Sequence, residues 1–225
     1  MTLPIGREKK ITLYSLWFGP LPAWIDRFIE RVQAIDIVRW HIVTDGLPNA
    51  ATSVFSCTFD RFKFFASGAL NIPVRKKSPY SLCDLRPAFG ELFQPATPWW
   101  GWCDLDIVLG DLDRLLPTLM EGYQLVTDHS RIANGPFTIV RNEPRMNLLW
   151  RSSYQAWQVA GEDYYKFDEV GFTLLLDGLR VRFADMHAHD GEPRPGCSVQ
   201  GPKLFDANGR ELLVYHFSKG KAWPL

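Results

Sequence analysis

Two aspartates, Asp104 and Asp106, lie within the apolar stretch 99–109, whose Trp-rich beginning predicts a buried β-strand. Residues i and i+2 of a strand share a face, so we expect both carboxylates to point the same way. Two carboxylates on one face repel each other and are costly to bury unless a cation neutralises them. Mg²⁺ and Mn²⁺ take such oxygen ligands and often share them with substrate phosphates. The pair therefore predicts a site for a divalent metal and a diphosphate.

A second Asp-x-Asp follows within a few residues, at Asp111 and Asp113. It comes directly after Gly110 and precedes a predicted helix. Aspartate is common at the N-cap and in the first turn of helices, where it accepts backbone N–H hydrogen bonds and complements the helix dipole. We therefore interpret this second pair as a helix start rather than a metal site.

The elements around the first pair predict an α/β fold. Residues 11–18 read as a strand, apolar residues from Leu21 to Val32 recur at helical spacing, and residues 37–44 read as a second strand. This strand–helix–strand order favours a parallel sheet. Ligands bind at the carboxyl edge of such sheets, which is where the strand before Asp104 would deliver the aspartates.

The remaining elements are predicted from shorter patterns. Strands are expected at 54–59, 123–127, 137–141, 181–184 and 212–217, and helices from Asp60 onward and at 82–93, 115–120, 144–159 and 164–176. Pro87 predicts a kink or a helix start near Arg86. The stretch 185–202 is rich in His, Gly and Pro and predicts a loop.

Composition narrows the class of protein. The chain has 225 residues, enough for one domain with a sizeable core, and 25 basic against 25 acidic residues. That balance argues against a nucleic-acid-binding surface. No stretch is long and apolar enough to span a membrane, and no secretion signal is seen, so we expect a cytoplasmic protein with at most peripheral association at the inner face of the membrane. The four scattered cysteines are expected to be free thiols.

The motifs together resemble those of small bacterial glycosyltransferase-like proteins of the GT-A fold. The resemblance rests on Asp104-Leu105-Asp106 after an aromatic-Gly-aromatic strand, on the segment 79–90, on Phe18-Gly19-Pro20, and on Val43-Thr44-Asp45. The segment from His216 to Pro224 is similar to the H-x-x-G-x-x-K-P-W tail of retaining galactosyl- and glucosyltransferases. It departs from that pattern because Gly220 stands one place late and Trp223 precedes Pro224.

The resemblance implies a single GT-A-like domain over 1–225, with a mixed sheet flanked by helices. Residues 1–110 would form the nucleotide-sugar-binding half, and 111–225 the acceptor-side half with its tail. Asp104, Asp106 and His216 would hold Mn²⁺ or Mg²⁺ on the donor diphosphate, and Lys219 or Lys221 would add positive charge there. On its own, His216 reads as a half-buried strand histidine.

Five further residues are candidates for contacts with the donor or the transferred sugar, each with a structural alternative. Asp84 and Arg86 would hold sugar or ribose hydroxyls, or else form an ion pair at the bend of Pro87. Asp45 would accept from a base or ribose, or else belong to a simple Asp-Gly turn. Asp168 resembles, with its neighbour Glu169, the acidic position that contacts the acceptor or reacting sugar, although a solvated helix face explains both.

Two polar groups lie in the second half of the chain. Asn134-Gly135 would line the acceptor side or form a plain turn. His187 and His189, followed by Asp190, would suggest zinc ligation, but no third ligand stands at a familiar spacing, and a flexible loop near the acceptor is the milder interpretation.

The sequence thus predicts a metal-dependent glycosyltransferase that moves a sugar from a nucleotide-sugar donor, with a UDP-sugar favoured, to a glycan or other hydroxyl acceptor. Surface glycan synthesis is the expected setting, and the tail weakly favours retention of configuration. One alternative is a nucleotidyltransferase or phosphoesterase that uses the same aspartates. Another is a non-catalytic carbohydrate-binding protein that uses its nine tryptophans.

Overall fold

A seven-stranded mixed sheet is the centre of the fold in the computed structural model, which describes residues 9–46, 53–191 and 196–217. In chain order the strands are β1 (Ile11–Trp17), β2 (Val38–Thr44), β3 (Ser53–Ser56), β4 (Trp99–Cys103), β5 (Ile107–Leu109), β6 (Leu125–Thr127), β7 (Phe137–Arg141), β8 (Val181–Phe183), β9 (His187–His189), β10 (Cys197–Gln200), β11 (Lys203–Asp206), β12 (Glu211–Leu212) and β13 (Val214–His216). The main sheet has the order β3-β2-β1-β4-β7-β6-β8, and β7 runs antiparallel to both of its neighbours.

Helices cover both faces of this sheet. They are α1 (Ile25–Gln33), α2 (Phe59–Leu70), a 3₁₀ helix (Pro79–Ala88), α3 (Phe89–Phe93), α4 (Leu112–Met120), α5 (Pro144–Asn147), a second 3₁₀ turn (Leu149–Ser152), α6 (Trp157–Ala160) and a π-helical turn (Phe167–Gly171). None of the described helices is long and apolar enough to cross a membrane. The mixed α/β class predicted from the sequence is confirmed.

The core lies in two layers because strand side chains alternate between the faces of the sheet. Trp40 of β2 packs with Phe28 of α1 on one face. Trp100 and Trp102 of β4 are fully buried on the other face, with Trp150. Gly101 stands between these two tryptophans because a Cβ there would lie 2.2 Å from the backbone oxygen of Thr138 in β7.

Two small sheets complete the fold. One has the order β5-β13-β9 and the other β10-β11-β12. In the first, His216 lies opposite Ile107 on one side and opposite His189 on the other. This pairing brings the end of the described chain next to the segment that follows β4, which a local sequence pattern does not reveal.

The parallel unit expected from the first 44 residues is confirmed, since β1 pairs with β2 in parallel from Ile11 opposite Val38 to Trp17 opposite Thr44. The helix predicted at 82–93 is a 3₁₀ helix that contains Pro87 and then gives way to α3. Ser78 caps it, with its hydroxyl accepting from the N–H of Ser81 at 3.3 Å.

Four expectations about the elements were wrong. The stretch 144–159 is three short helical turns rather than one helix, and 164–176 holds a five-residue π-helical turn and a brief helical continuation. The predicted loop 185–202 contains β9, which pairs with the distant β13, and β10, which forms a hairpin with the adjacent β11. The stretch 99–109 is not one strand, because β4 ends at Cys103 and β5 begins at Ile107.

Candidate functional site

The bend between β4 and β5 carries Asp104 and Asp106. The N–H of Asp104 donates to the backbone oxygen of Pro136 at 3.0 Å, and Trp24 donates to that of Leu105 at 2.9 Å. The backbone oxygen of Asp106 accepts from the N–H of Phe217 at 3.0 Å. The two carboxylates thus approach each other through a fixed bend at the carboxyl end of β4. The strand alternation that we expected to align them is absent here.

Asp104, Asp106 and His216 form a cluster, which we call the triad. One possible ligand atom from each residue lies within 4.8 Å of the others. The Nε2 atom of His216 is 3.6 Å from Oδ1 of Asp106, which is 2% exposed. The structure therefore brings together the three residues that the resemblance names as metal ligands.

The protonation of His216 reflects these carboxylates. Burial alone would lower the pKa of His216, but the hydrogen bond to Asp106 and the charges of Asp106, Asp104 and Asp128 outweigh it and raise the pKa. The imidazole is therefore held in a strongly negative environment, as expected where a cation binds.

Arg86 supports the triad from the 3₁₀ helix. One end of its guanidinium contacts Asp104, and the other donates to Oδ2 of Asp168 at 2.8 Å. Burial would lower the pKa of Arg86, but the charges of Asp104 and Asp168 outweigh it and keep the group protonated. Arg86 therefore fixes the orientation of the Asp104 carboxylate in the way that outer-shell partners orient metal ligands.

The donor set of the triad fits a hard divalent cation. Ligands about 2.1 Å from an octahedral ion lie about 3 to 4 Å from one another. The triad atoms already lie close to that range, so small side-chain rotations would suffice. Two carboxylate oxygens and one imidazole nitrogen leave further positions open for phosphate oxygens and water.

A cavity of about 280 Å³ opens onto the two aspartates. Its walls come from the end of β1, from the 3₁₀ helix and from the β4–β5 bend. The residues are Ser15, Leu16, Trp17, Phe18, Pro79, Tyr80, Cys83, Arg86, Cys103, Asp104, Leu105 and Asp106. Aromatic side chains on one side and carboxylates on the other suit a ligand with a flat ring and a metal-bound anion.

Asp84 does not take part in this cavity. Its side chain is fully buried, where its Oδ2 accepts from Nζ of Lys76 at 2.7 Å. The N–H groups of Tyr165 and Phe167 also donate to its carboxylate, at 2.9 and 2.7 Å. The expected contact of Asp84 with sugar or ribose hydroxyls is therefore wrong, since both of its oxygens serve the protein. The ion pair is with Lys76 rather than with Arg86.

Asp168 and Glu169 begin the π-helical turn beside Arg86. Asp168 is fully buried between Arg86 and the hydroxyl of Tyr164, which donates to it at 3.3 Å. Burial and the charge of Asp168 raise the pKa of Glu169. Neither residue belongs to a solvated helix face. Their catalytic role stays a prediction, although Asp168 is held by the ion pair with Arg86.

Asp45, Lys219 and Lys221 were also predicted to contact the donor. Asp45 is exposed at the end of β2, where its Oδ1 accepts from the N–H of Gly19 at 2.8 Å, so it ties two loops at the carboxyl edge. Its contact with a base or ribose stays a prediction. Lys219 and Lys221 lie outside the described residues.

The second Asp-x-Asp is structural, as predicted. Asp111 caps α4 by accepting from the N–H of Arg114 at 3.2 Å. Asp113 accepts from the N–H groups of Asp36 and Ile37, both at 2.9 Å, and so fixes the turn between α1 and β2.

The sequence reasoning missed Asp128 and His129. Asp128 directly follows β6 and is fully buried, with His187 as a hydrogen-bond partner. His129 packs near the ring of His187, with 6.4 Å between the ring centroids. A polar pair directly after a predicted strand was the available signal, since ligand-binding residues gather at strand ends.

A comparison with protein families places part of the chain. The model of a family of unknown function, DUF6625, matches residues 13–194. The match spans β1, both aspartates of the bend, Asp128 and His187, and it ends before His216. No curated protein matches the chain. Because the match covers most of its length, the chain belongs to DUF6625, a family of unknown function.

Proposed function

We propose that this protein is a cytoplasmic, metal-dependent glycosyltransferase that transfers a sugar from a nucleoside-diphosphate donor to a hydroxyl acceptor. The observation that carries the proposal is the convergence of Asp104, Asp106 and His216 beside a cavity with aromatic walls. Two carboxylates and an imidazole at the carboxyl edge of a mixed sheet are suited to a divalent ion that is shared with a diphosphate. This arrangement is compatible with the GT-A-like architecture that the sequence resembles.

The residues of the chain have distinct roles in this proposal. Asp104, Asp106 and His216 would hold Mn²⁺ or Mg²⁺, which when bound offsets the charge that develops on the departing diphosphate. Arg86 holds the Asp104 carboxylate in place through its ion pair. Tyr80, which is 54% exposed, offers a face on which the donor base can stack.

Two observations weigh against the alternatives. A two-metal nucleotidyltransferase or phosphoesterase needs a further carboxylate, but Asp111 caps α4 and Asp168 is paired with Arg86. A carbohydrate-binding protein that uses its tryptophans needs several exposed rings, but among the described tryptophans only Trp157 is exposed, at 59%, and it does not line the cavity at the two aspartates.

The test is a panel of nucleotide sugars with and without Mn²⁺. UDP-glucose, UDP-galactose, UDP-N-acetylglucosamine and GDP-mannose are titrated calorimetrically, and release of the nucleoside diphosphate is followed. We expect Mn²⁺-dependent binding and slow hydrolysis of at least one donor. The variant Asp104→Asn/Asp106→Asn should lose both, by at least about 100-fold, because it removes two charged ligands.

The matched control is Asp111→Asn/Asp113→Asn. It changes the same Asp-x-Asp pattern seven residues further along the chain, in residues that belong to neither the triad nor the cavity lining. It should therefore lower stability while leaving donor affinity unchanged. Metal-dependent cleavage of bis(p-nitrophenyl) phosphate without donor binding would favour a phosphoesterase. Binding of free glycans by both double variants would favour a carbohydrate-binding protein.

A further inference from the structure

His187 and Asp128 form a hydrogen-bonded dyad next to the triad. The Nδ1 atom of His187 lies 2.8 Å from Oδ2 of Asp128. The other carboxylate oxygen, Oδ1, accepts from Nδ2 of Asn134 at 2.9 Å. Both oxygens of the fully buried Asp128 are therefore engaged, and the ring of His187 is fixed by an immobile partner.

The dyad leaves Nε2 as the reactive position of His187. Among the described residues, no hydrogen bond involves that atom. The side chain is 11% exposed, and it lines a cavity of about 370 Å³ with His129, Ser130, Asn134, Asp185, His189 and Arg210. In the neutral imidazole, a carboxylate that accepts from Nδ1–H selects the tautomer whose lone pair is on Nε2, the atom that would then accept a proton.

The position of the dyad relative to the triad is also suitable. The parallel pairing of β9 and β13 sets the His187 and His216 rings 6.2 Å apart between centroids. A donor whose diphosphate is held at His216 therefore has its sugar within reach of the neighbouring cavity. A base beside this metal-binding histidine can reach an acceptor hydroxyl that is held close to the donor sugar.

Two acidic side chains near the triad, Asp168 and Glu169, bond to other groups of the protein. Asp168 pairs with Arg86, and Oε1 of Glu169 accepts from the N–H of Gly135 at 3.3 Å. The turn Asn134-Gly135 thus separates two groups, with the dyad bonded to Asn134 and Glu169 bonded to Gly135. Within the part of the chain that the structure describes, the Asp128 carboxylate bonds to the side chains of His187 and Asn134 and forms no ion pair with Lys or Arg.

We propose that His187, oriented by Asp128, is the general base that activates the acceptor hydroxyl, an inference that rests on the proposed function. The acceptor O–H proton moves to Nε2 of His187 as the acceptor oxygen bonds to the anomeric carbon. The bond from that carbon to the diphosphate oxygen breaks, and its electron pair leaves with the diphosphate. His187 then releases the proton to solvent.

This mechanism is a single displacement, so it inverts the anomeric configuration. It differs from the weak expectation of retention, which rests on a tail whose residues after 217 lie outside the described chain. Asp128 is a positioning residue in this mechanism, while His187 contacts the acceptor. Glu169 would be the corresponding group in a double displacement with retention.

The test compares variants in hydrolysis of the panel donor that the wild type turns over fastest, with water as acceptor. His187→Asn keeps a donor near the position of Nδ1 and so keeps the bond to Asp128, but it lacks a base. His187→Ala leaves room for added imidazole. Glu169→Gln tests the competing group, and His41→Gln, on β2, is a histidine control away from both cavities. Mn²⁺-dependent donor affinity and the anomer first released are measured in each.

We expect both His187 variants to lose about 100- to 10,000-fold in turnover, which is the usual contribution of a general base. Donor affinity should not change, imidazole should restore part of the activity of His187→Ala only, and the first sugar released should be the inverted anomer. Two results would overturn the role of His187 as the base without affecting the proposed transferase. One is turnover of His187→Asn within threefold of the wild type. The other is release of the retained anomer together with a loss of turnover in Glu169→Gln. If the wild type neither binds nor cleaves any donor, the proposed function fails and the base fails with it.

Discussion

Asp84 and Arg86 lie two residues apart on the same 3₁₀ helix, yet they belong to two buried ionic clusters of different design. The first cluster is the pair Lys76–Asp84, in which both side chains are fully buried. Lys76 Nζ also donates to the backbone oxygens of Gln158 and Asp163, each at 2.8 Å. Its charges balance and its three N–H donors are all used, so it needs no further ligand.

The second cluster surrounds Arg86 and is unbalanced. Asp104, Asp106, Asp168 and Glu169 supply four carboxylates around one guanidinium, with His216 at the edge. Burial raises the pKa of Glu169, as excess negative charge does for any carboxyl group. The comparison teaches that burial and ion pairing alone do not mark a site. What distinguishes the second cluster is its excess of negative charge, which a cation would neutralise under the proposed function.

The largest loss of stability is expected from Lys76→Met. Removing the ammonium leaves the Asp84 carboxylate buried without its counter-charge, which should lower the free energy of unfolding by about 3–5 kcal/mol. Mn²⁺ affinity should be unaffected, because this pair lies outside the triad. Urea unfolding and calorimetric metal titration measure the two quantities.

The double variant Lys76→Met/Asp84→Asn is the control for this prediction. An asparagine keeps an oxygen that accepts from the N–H of Phe167, so the second change should restore part of the lost stability. A loss below about 1 kcal/mol in Lys76→Met would show that the buried pair is no more important than a surface pair.

Asp106→Asn tests the unbalanced cluster with the same type of neutralisation. Without metal, removing one of four carboxylates should leave stability unchanged or raise it, whereas Asp84→Asn should lower it. With Mn²⁺ at about 100 times its dissociation constant, the wild type should gain about 2.7 kcal/mol by mass action, and the variant should lose that gain. Thermal unfolding with and without Mn²⁺, and after addition of EDTA, measures the difference. Equal Mn²⁺ stabilisation of both proteins would remove Asp106 from the ligand set.

Gly135→Ala is expected to have a smaller effect, centred on Arg86. A Cβ at this position would lie 2.8 Å from Oε1 of Glu169 and 2.9 Å from Nη1 of Arg86. Both are side-chain atoms that can shift, so we expect a cost of about 1–3 kcal/mol. Mn²⁺ affinity should also fall, because Arg86 orients Asp104. Urea unfolding and calorimetric titration with Mn²⁺ measure the two quantities. A loss of stability with unaltered Mn²⁺ affinity would limit the role of Arg86 to packing.

The two clusters also show what the sequence could predict. The α1 helix and the β1–β2 pairing follow from local periodicity, and the capping by Asp111 follows from its position after Gly110. The sequence correctly predicted that the Asp104 and Asp106 carboxylates lie close together. The predicted reason was wrong, because a bend and not a strand carries the two residues.

The remaining features depend on contacts between distant parts of the chain. Asp84 and Arg86 are separated by one residue, so the sequence suggested that both belong to one site. Their partners differ, because Asp84 pairs with Lys76 and only Arg86 reaches Asp168 and the triad. The dyad depends on Asp128 meeting a histidine 59 residues away. The strand that carries His187 was predicted as a loop because β9 is ordered by β13 and not by its own composition.

The smallest effect is expected from Lys77→Ala, which sharpens the contrast with its neighbour. Lys77 pairs with Glu162, but their side chains are 64% and 50% exposed, so water already solvates both charges. The unfolding midpoint of Lys77→Ala should match that of the wild type within error, and high salt should not change the comparison. A shift as large as that of Lys76→Met would contradict this expectation. It would mean that the position of the segment with Lys76 and Lys77 sets the stability of the 3₁₀ helix and of the cluster around Arg86, and that the burial of the Lys76 charge does not.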